Sequence, residues 1–172
     1  SGGHTNNGLA FMEDAVYQDE HGPVELKYDL DAIKWLRNNV QGSPVTIEAS
    51  TVEYRWGTRF AIYTGLPTVV GWRWHQTQQR GSFAPMVETR LQDVARFYTT
   101  TEPEEAEAIL LKYGVSLVIL GQVERQYYAG PGLDKFDAME STSLELAYEN
   151  PQTKIYRVLK EYLPLLATTP RP

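Results

Sequence analysis

The 172-residue chain contains no cysteine, which excludes a disulfide framework, thiolate zinc sites and thiol nucleophiles. Its three histidines, His4, His21 and His75, lie far apart. A histidine-based metal centre would have to gather its other ligands from the whole fold, and neither a metal nor a cofactor is expected. Long apolar runs are missing too. The longest, Val115 to Leu120, falls well short of the about 20 residues that a membrane-spanning helix needs. No secretory-signal pattern opens these residues, and the expectation is a folded domain cut from something larger. Enzyme fingerprints are absent as well. There is no G-x-G-x-x-G after a strand, no P-loop and no G-x-S-x-G elbow.

What is there is ordinary globular material, 42% hydrophobic and 22% charged, enough for one domain with a real core. The net charge of -6 hides an asymmetry. Between Arg55 and Arg96 stand six arginines, no lysine and two acids, Glu88 and Asp93, so that segment is +4 and the rest -10. Three of the four tryptophans (Trp56, Trp72, Trp74) share the stretch. Guanidinium forks grip carboxylate or phosphate at two points and stack on rings. An anion- or sugar-binding surface and a set of plain salt bridges both fit this pattern. The acidic whole, with no lysine-rich stripe, argues against a nucleic-acid partner.

Residues 1–28 read as an N-terminal arm packing through Leu9, Phe11, Met12, Val16 and Tyr17. A single α/β domain follows over 29–160, then a tail over 161–172. Asp29 is placed to cap a helix carrying Leu30, Ile33, Leu36 and Val40 at helical spacing, with Gly42 past its end. Val45 to Ala49 alternates as a strand does. Trp56, Phe60 and Tyr63 suggest a short helix ending at Gly65, and Leu66 to Gly71 a short buried strand. A helix is predicted from Pro85 to about Tyr98. Another follows a Thr101–Glu104 capping box with Pro103 in its first turn and stops at Gly114. Val115 to Leu120 is a buried strand, Leu133 to Met139 a short helix, and Leu144–Tyr148 with Ile155–Leu159 a hairpin. The fold class is therefore α/β: a mixed sheet of three largely parallel strands plus a C-terminal antiparallel hairpin, packed with helices.

In such sheets ligands sit beyond the carboxyl ends of the strands. Those ends carry Glu48 and Ser50, then Trp72 to Arg80, then Gln122 to Tyr128. Candidate ligand contacts are Tyr63, Trp72, His75, Gln78 and Arg80, with Arg55 or Arg59 supplying charge and Glu48 and Arg125 at the same rim. No catalytic set emerges. A loop histidine and a strand-end carboxylate have bland uses as well as chemical ones, as hydrogen-bond and ion-pair partners.

Tyr63-Thr64-Gly65-Leu66-Pro67-Thr68-Val69-Val70-Gly71-Trp72, followed by His75 and Arg80, carries a resemblance. Further segments agree in order: Gly8 to Met12, Asp31 to Leu36, Pro44 to Ala49, Lys112 to Val115, Gly121 to Arg125 with Tyr128, and Gly132 to Phe136. Over about residues 8–160 the chain resembles the carboxyl-terminal extracytoplasmic part of the Chlor_Arch_YYY family of polytopic membrane proteins, related to C-type glycosyltransferases. Where that family often has an acid after the histidine, this chain has Gln76. The resemblance implies membrane helices ahead of residue 1 and a domain on the outer face of the membrane. It also implies a sugar or polyprenyl-phosphate ligand, with the catalytic carboxylate in the membrane part of the same native chain. Two alternatives stand beside it. One is a self-contained soluble α/β enzyme acting on a sugar or phosphate, with His75 and Glu48 as acid–base pair. The other is a protein-interaction module with an exposed apolar patch.

Overall fold

A computed structural model describes residues 10–19, 21–50, 57–70 and 84–163. After a 3-10 turn at Ala10–Met12 the strands β1 (Val16–Asp19) and β2 (Gly22–Glu25) form an antiparallel hairpin. Helix α1 (Leu26–Asn39) leads to β3 (Val45–Ile47) and the short α2 (Arg59–Thr64). Then come α3 (Ala84–Thr99), α4 (Pro103–Tyr113), β4 (Val115–Leu120) and α5 (Gln122–Tyr127). A 3-10 turn at Pro131–Asp134, α6 (Lys135–Glu140), β5 (Leu144–Glu149) and β6 (Lys154–Val158) complete the domain.

The main sheet runs β3-β4-β6-β5. β3 pairs parallel with β4, Val45 opposite Val115 and Ile47 opposite Val118. β6 pairs antiparallel with β4 and with β5, placing the C-terminal hairpin at one edge. Beyond the other edge, Thr46 and Thr68 make a single parallel bridge: Thr46 N donates to Pro67 O (2.8 Å) and Val69 N to Thr46 O (3.1 Å). The expected mixed sheet is present, with the strand predicted over Leu66–Gly71 reduced to that bridge. A proline carbonyl can accept, but Pro67 has no N–H to extend the ladder. Every β4 residue except Ser116 is buried, so both of its faces are covered.

Several predicted boundaries move for identifiable reasons. α1 starts at Leu26, not after Asp29, because Leu26 joins Leu30, Ile33 and Leu36 in the core. Pro103 takes the first helical position of α4, so the cap falls on Glu102, which makes no side-chain cap bond. The Thr101–Glu104 box therefore does not form; instead Thr100 Oγ1 accepts from Glu102 N (3.2 Å). Gly114, at φ 60°, ends α4 as expected. In the arm, Met12 is fully buried while Phe11 and Val16 are half exposed. Among the described residues no helix is long and apolar enough to cross a membrane.

Candidate functional site

The carboxyl ends of β3 and β4 are where an α/β sheet of this kind takes ligands. Here that place is filled by the chain's own side chains. Past β3 come Glu48 and Ala49; past β4 comes Gly121, which opens α5. Into the gap between them α2 sends Arg59, only 1% exposed. Its Nε donates to Asp29 Oδ2 (2.5 Å), and its Nη1 and Nη2 donate to Glu124 Oε1 and Oε2, both at 3.0 Å. This two-point grip on Glu124 is the strongest geometry a guanidinium offers. Glu124 also accepts from Ala49 N and Gly121 N, each at 2.8 Å. Burial pushes its carboxyl up, but Arg59 and the two amides more than offset that and hold it below the usual range. Burial disfavours the Arg59 charge, yet Asp29 and Glu124 together raise its pKa further still.

Gly121 leaves room for this arrangement. A Cβ there would lie 2.8 Å from Arg59 Nη2 and 3.2 Å from Glu124 Oε2. Glu48, fully buried, sits beside the pair and holds the start of α2: its Oε2 accepts from Phe60 N (2.9 Å) and its Oε1 from Ala61 N (3.0 Å). Burial pushes the Glu48 carboxyl up to about 7; Arg59 opposes the shift and the Glu124 charge adds to it. Tyr98, from α3, closes the inner side, its hydroxyl donating to Ile119 O (2.6 Å) with Ile47 O at 3.2 Å, so one phenol bridges β3 and β4. Tyr128 stacks on it, centroids 5.0 Å apart. At the carboxyl end of α3, Lys135 donates to Tyr98 O (3.1 Å).

The predicted site residues fall into two groups. Arg55, Trp72, His75, Gln78 and Arg80 lie outside the described residues, and with them the Glu48–His75 pairing. The other four are placed. Tyr63, half-buried at the end of α2, offers its carbonyl to Arg37 Nε (2.9 Å). Arg59 and Glu48 belong to the buried cluster, with their polar atoms bonded within it. Arg125, on α5, donates to Gln152 O in the turn between β5 and β6.

Three members of the cluster escaped sequence reading. Asp29 reads as a cap, but it sits three residues after Leu26 and four before Ile33, inside the apolar stripe of α1, and a charge on such a stripe signals a buried partner. Glu124 is the third residue after Gly121 in Gly121-Gln122-Val123-Glu124, the spacing at which a carboxylate turns back on a helix start. Tyr98 ends an apolar stripe and gives no separate signal. No group of three or more His, Asp or Glu side chains among the described residues has metal-holding geometry.

By fold the chain is an α/β domain built on a four-stranded mixed sheet. No protein-family model matches it, and no curated protein does either. A solved structure similar to it is the C-terminal globular domain of an oligosaccharyltransferase from Archaeoglobus fulgidus. That likeness has 16% sequence identity and a TM-score of 0.49, covering 75% of this chain and 95% of that one.

Proposed function

We propose that this chain is a non-catalytic extracytoplasmic domain of a glycosyltransferase-like integral membrane protein, and that it contacts a sugar or polyprenyl-phosphate ligand. Its other partner is the membrane-spanning part of the same native chain. The resemblance in the Tyr63–Trp72 block, with the segments before and after it that agree in order, supports the family part of this reading. One structural observation supports the rest: Arg59, Glu124, Asp29 and Glu48 fill the crevice at the strand ends and bond to one another and to backbone. Buried groups so engaged serve a scaffold, because freeing any one of them leaves a buried charge or a backbone N–H without a partner. Ligand contact then falls to Tyr63 at the edge of that scaffold and to Arg55, Trp72, His75, Gln78 and Arg80, the arginine, tryptophan, histidine and glutamine side chains suited by type to an anionic or sugar group.

Geranylgeranyl phosphate, with geranylgeraniol as the uncharged control, tests the lipid-phosphate arm by tryptophan fluorescence in detergent; a short mannose oligomer tests the sugar arm. Wild-type protein should bind one of them, and Arg80→Ala should weaken phosphate-dependent binding about tenfold or more, the usual effect of losing a charged hydrogen bond, with an unchanged melting temperature. No binding by the wild type, together with a large fall in melting temperature for Arg80→Ala, would make Arg80 a structural residue and overturn the reading. Sequencing the gene upstream of Ser1 tests the membrane part separately: several apolar stretches of about 20 residues are expected.

A further inference from the structure

The strand-end crevice is filled by the buried cluster, but the turn between β5 and β6 reaches the same end of the sheet, Leu120 standing opposite Lys154. Just before that turn Tyr148 of β5 meets Trp35 of α1. Their ring centroids lie 5.3 Å apart, tilted by 32°, and both side chains are half-buried. A β-bulge delivers Tyr148 to this place. Regular alternation would keep it on the face of Leu144 and Leu146, which stand opposite Val158 and Tyr156. That is the face on which α6 packs, Phe136 stacking on Tyr156 (5.8 Å). Ala147 is the extra residue: Leu146 pairs with Tyr156, and Tyr148 pairs with its neighbour Ile155. Tyr148 is thereby turned to the other face, towards α1. Bulges re-aim single side chains in this way at sheet edges and beside active sites.

The polar groups around the two rings leave two donors unspent. Asn150 Oδ1 accepts from Gln152 N (3.0 Å) and Thr153 N (2.8 Å), while its Nδ2 donates to Tyr28 O (2.9 Å) and to the Tyr148 hydroxyl (3.1 Å). With all its places used, Asn150 fixes the phenol as an acceptor and leaves Tyr148 its own proton to give. The Trp35 indole N–H meets no acceptor among the described residues, and water reaches it. A ring pair with one apolar side and one wet side is the make-up enriched at binding surfaces. Neither donor is charged, and the flanking charges are matched, Lys154 lying 3.7 Å from Glu149 and Lys27 4.0 Å from Glu25. An uncharged ligand rich in acceptor oxygens suits such a place better than an anion does.

We propose that Trp35 and Tyr148 form a platform for one pyranose ring of an uncharged sugar. The C–H face of the sugar lies on the electron-rich ring faces, and its oxygens accept from Trp35 Nε1 and the Tyr148 hydroxyl. The platform deepens the sugar arm of the proposed function and rests on it, with two residues that arm did not use.

Two-dimensional proton–nitrogen NMR of the indole groups is the experiment, the Trp35 signal being assigned by its loss in Trp35→Phe. Mannotriose, maltotriose and chitotriose are the probes, with glycerol as the acyclic control. At least one trisaccharide should shift the Trp35 signal at millimolar concentration while glycerol does not. Tyr148→Phe should weaken that binding about fivefold, the usual worth of one neutral hydrogen bond. Trp35→Phe, read at the backbone amide of Tyr148, should weaken it about tenfold, having lost a donor and part of the ring face. No shift at Trp35 with any of the three sugars, or equal binding by wild type and both variants, overturns the platform. Shifts confined to the other three indoles overturn it while leaving the sugar arm standing. Silence at all four overturns platform and sugar arm together and leaves the lipid-phosphate arm to its own test.

Discussion

At the scale of single residues, the most informative position is a glycine. Gly121 has ordinary extended backbone, φ -113°, so no turn demands it; what it leaves room for is Arg59 Nη2, 2.8 Å from where a Cβ would be. Gly121→Ala must either shift the guanidinium off Glu124 or push α5 off the strand end. Breaking a buried ion pair from one side typically destabilises by about 3–5 kcal/mol, and a partial shift by less. We expect a loss of about 2–4 kcal/mol in urea unfolding at constant m value. A loss under about 0.5 kcal/mol would mean that the cluster repacks freely and is not the rigid scaffold described here. Single residues are also where sequence reading failed. Arg59 was recognisable as notable because it belongs to a lysine-free arginine run, yet nothing local told a ligand-facing arginine from a buried one. Its partners lie 30 and 65 positions away in sequence.

At the scale of elements, α5 binds the domain together out of proportion to its six residues. Gln122 presents its side-chain amide to β2 like an added strand, accepting from Glu25 N and donating to Glu25 O, both at 3.0 Å. Gln126 donates to Pro23 O (2.9 Å), and Tyr127 donates its hydroxyl to Asp19 Oδ2 (2.7 Å). On its other sides Glu124 holds Arg59 and Arg125 holds the β5–β6 turn. The double substitution Gln122→Ala with Gln126→Ala removes three side-chain hydrogen bonds worth about 1 kcal/mol each. Amide exchange in β1 and β2 should then accelerate by one to two orders of magnitude while β4 changes only as much as global stability does. Equal acceleration in both would show that the hairpin has no stability of its own to lose. Elements with a full apolar period were legible: α4 and β4 were placed within a residue or two, and α2 was recognised from Phe60 and Tyr63. The two that were missed, α5 and the N-terminal hairpin, are short and fastened mainly by polar side chains to distant backbone. Hydrophobic periodicity carries no trace of such bonds.

At the scale of the whole molecule, the question is how far forward the domain extends. Sequence patterning treats everything before residue 29 as an arm, because strands of four residues with partly exposed faces show no clear alternation. The packing argues for more. Met12 and Val24 are both fully buried, each worth about 1.5–3 kcal/mol of transfer free energy, and the hairpin between them is pinned to α5. A chain starting at Leu26 would expose the surfaces those two side chains cover and would leave Gln122 and Gln126 without partners. Relative to a chain starting at Ala10, the loss should be on the order of 3–6 kcal/mol, from the two apolar side chains alone. For a domain of this size each kcal/mol moves the melting temperature by about 2–4 °C, so calorimetry should show a drop on the order of 10 °C or more. The consequence reaches beyond stability. α5 joins the hairpin to Glu124, and Glu124 holds Arg59 at the root of α2, so loss of the hairpin should also lower protection at Phe60 and Ala61. A shorter chain that melts at the same temperature, with those amides unchanged, would make the N-terminal segment a tether and cut the mechanical link from the start of the domain to its strand-end cluster.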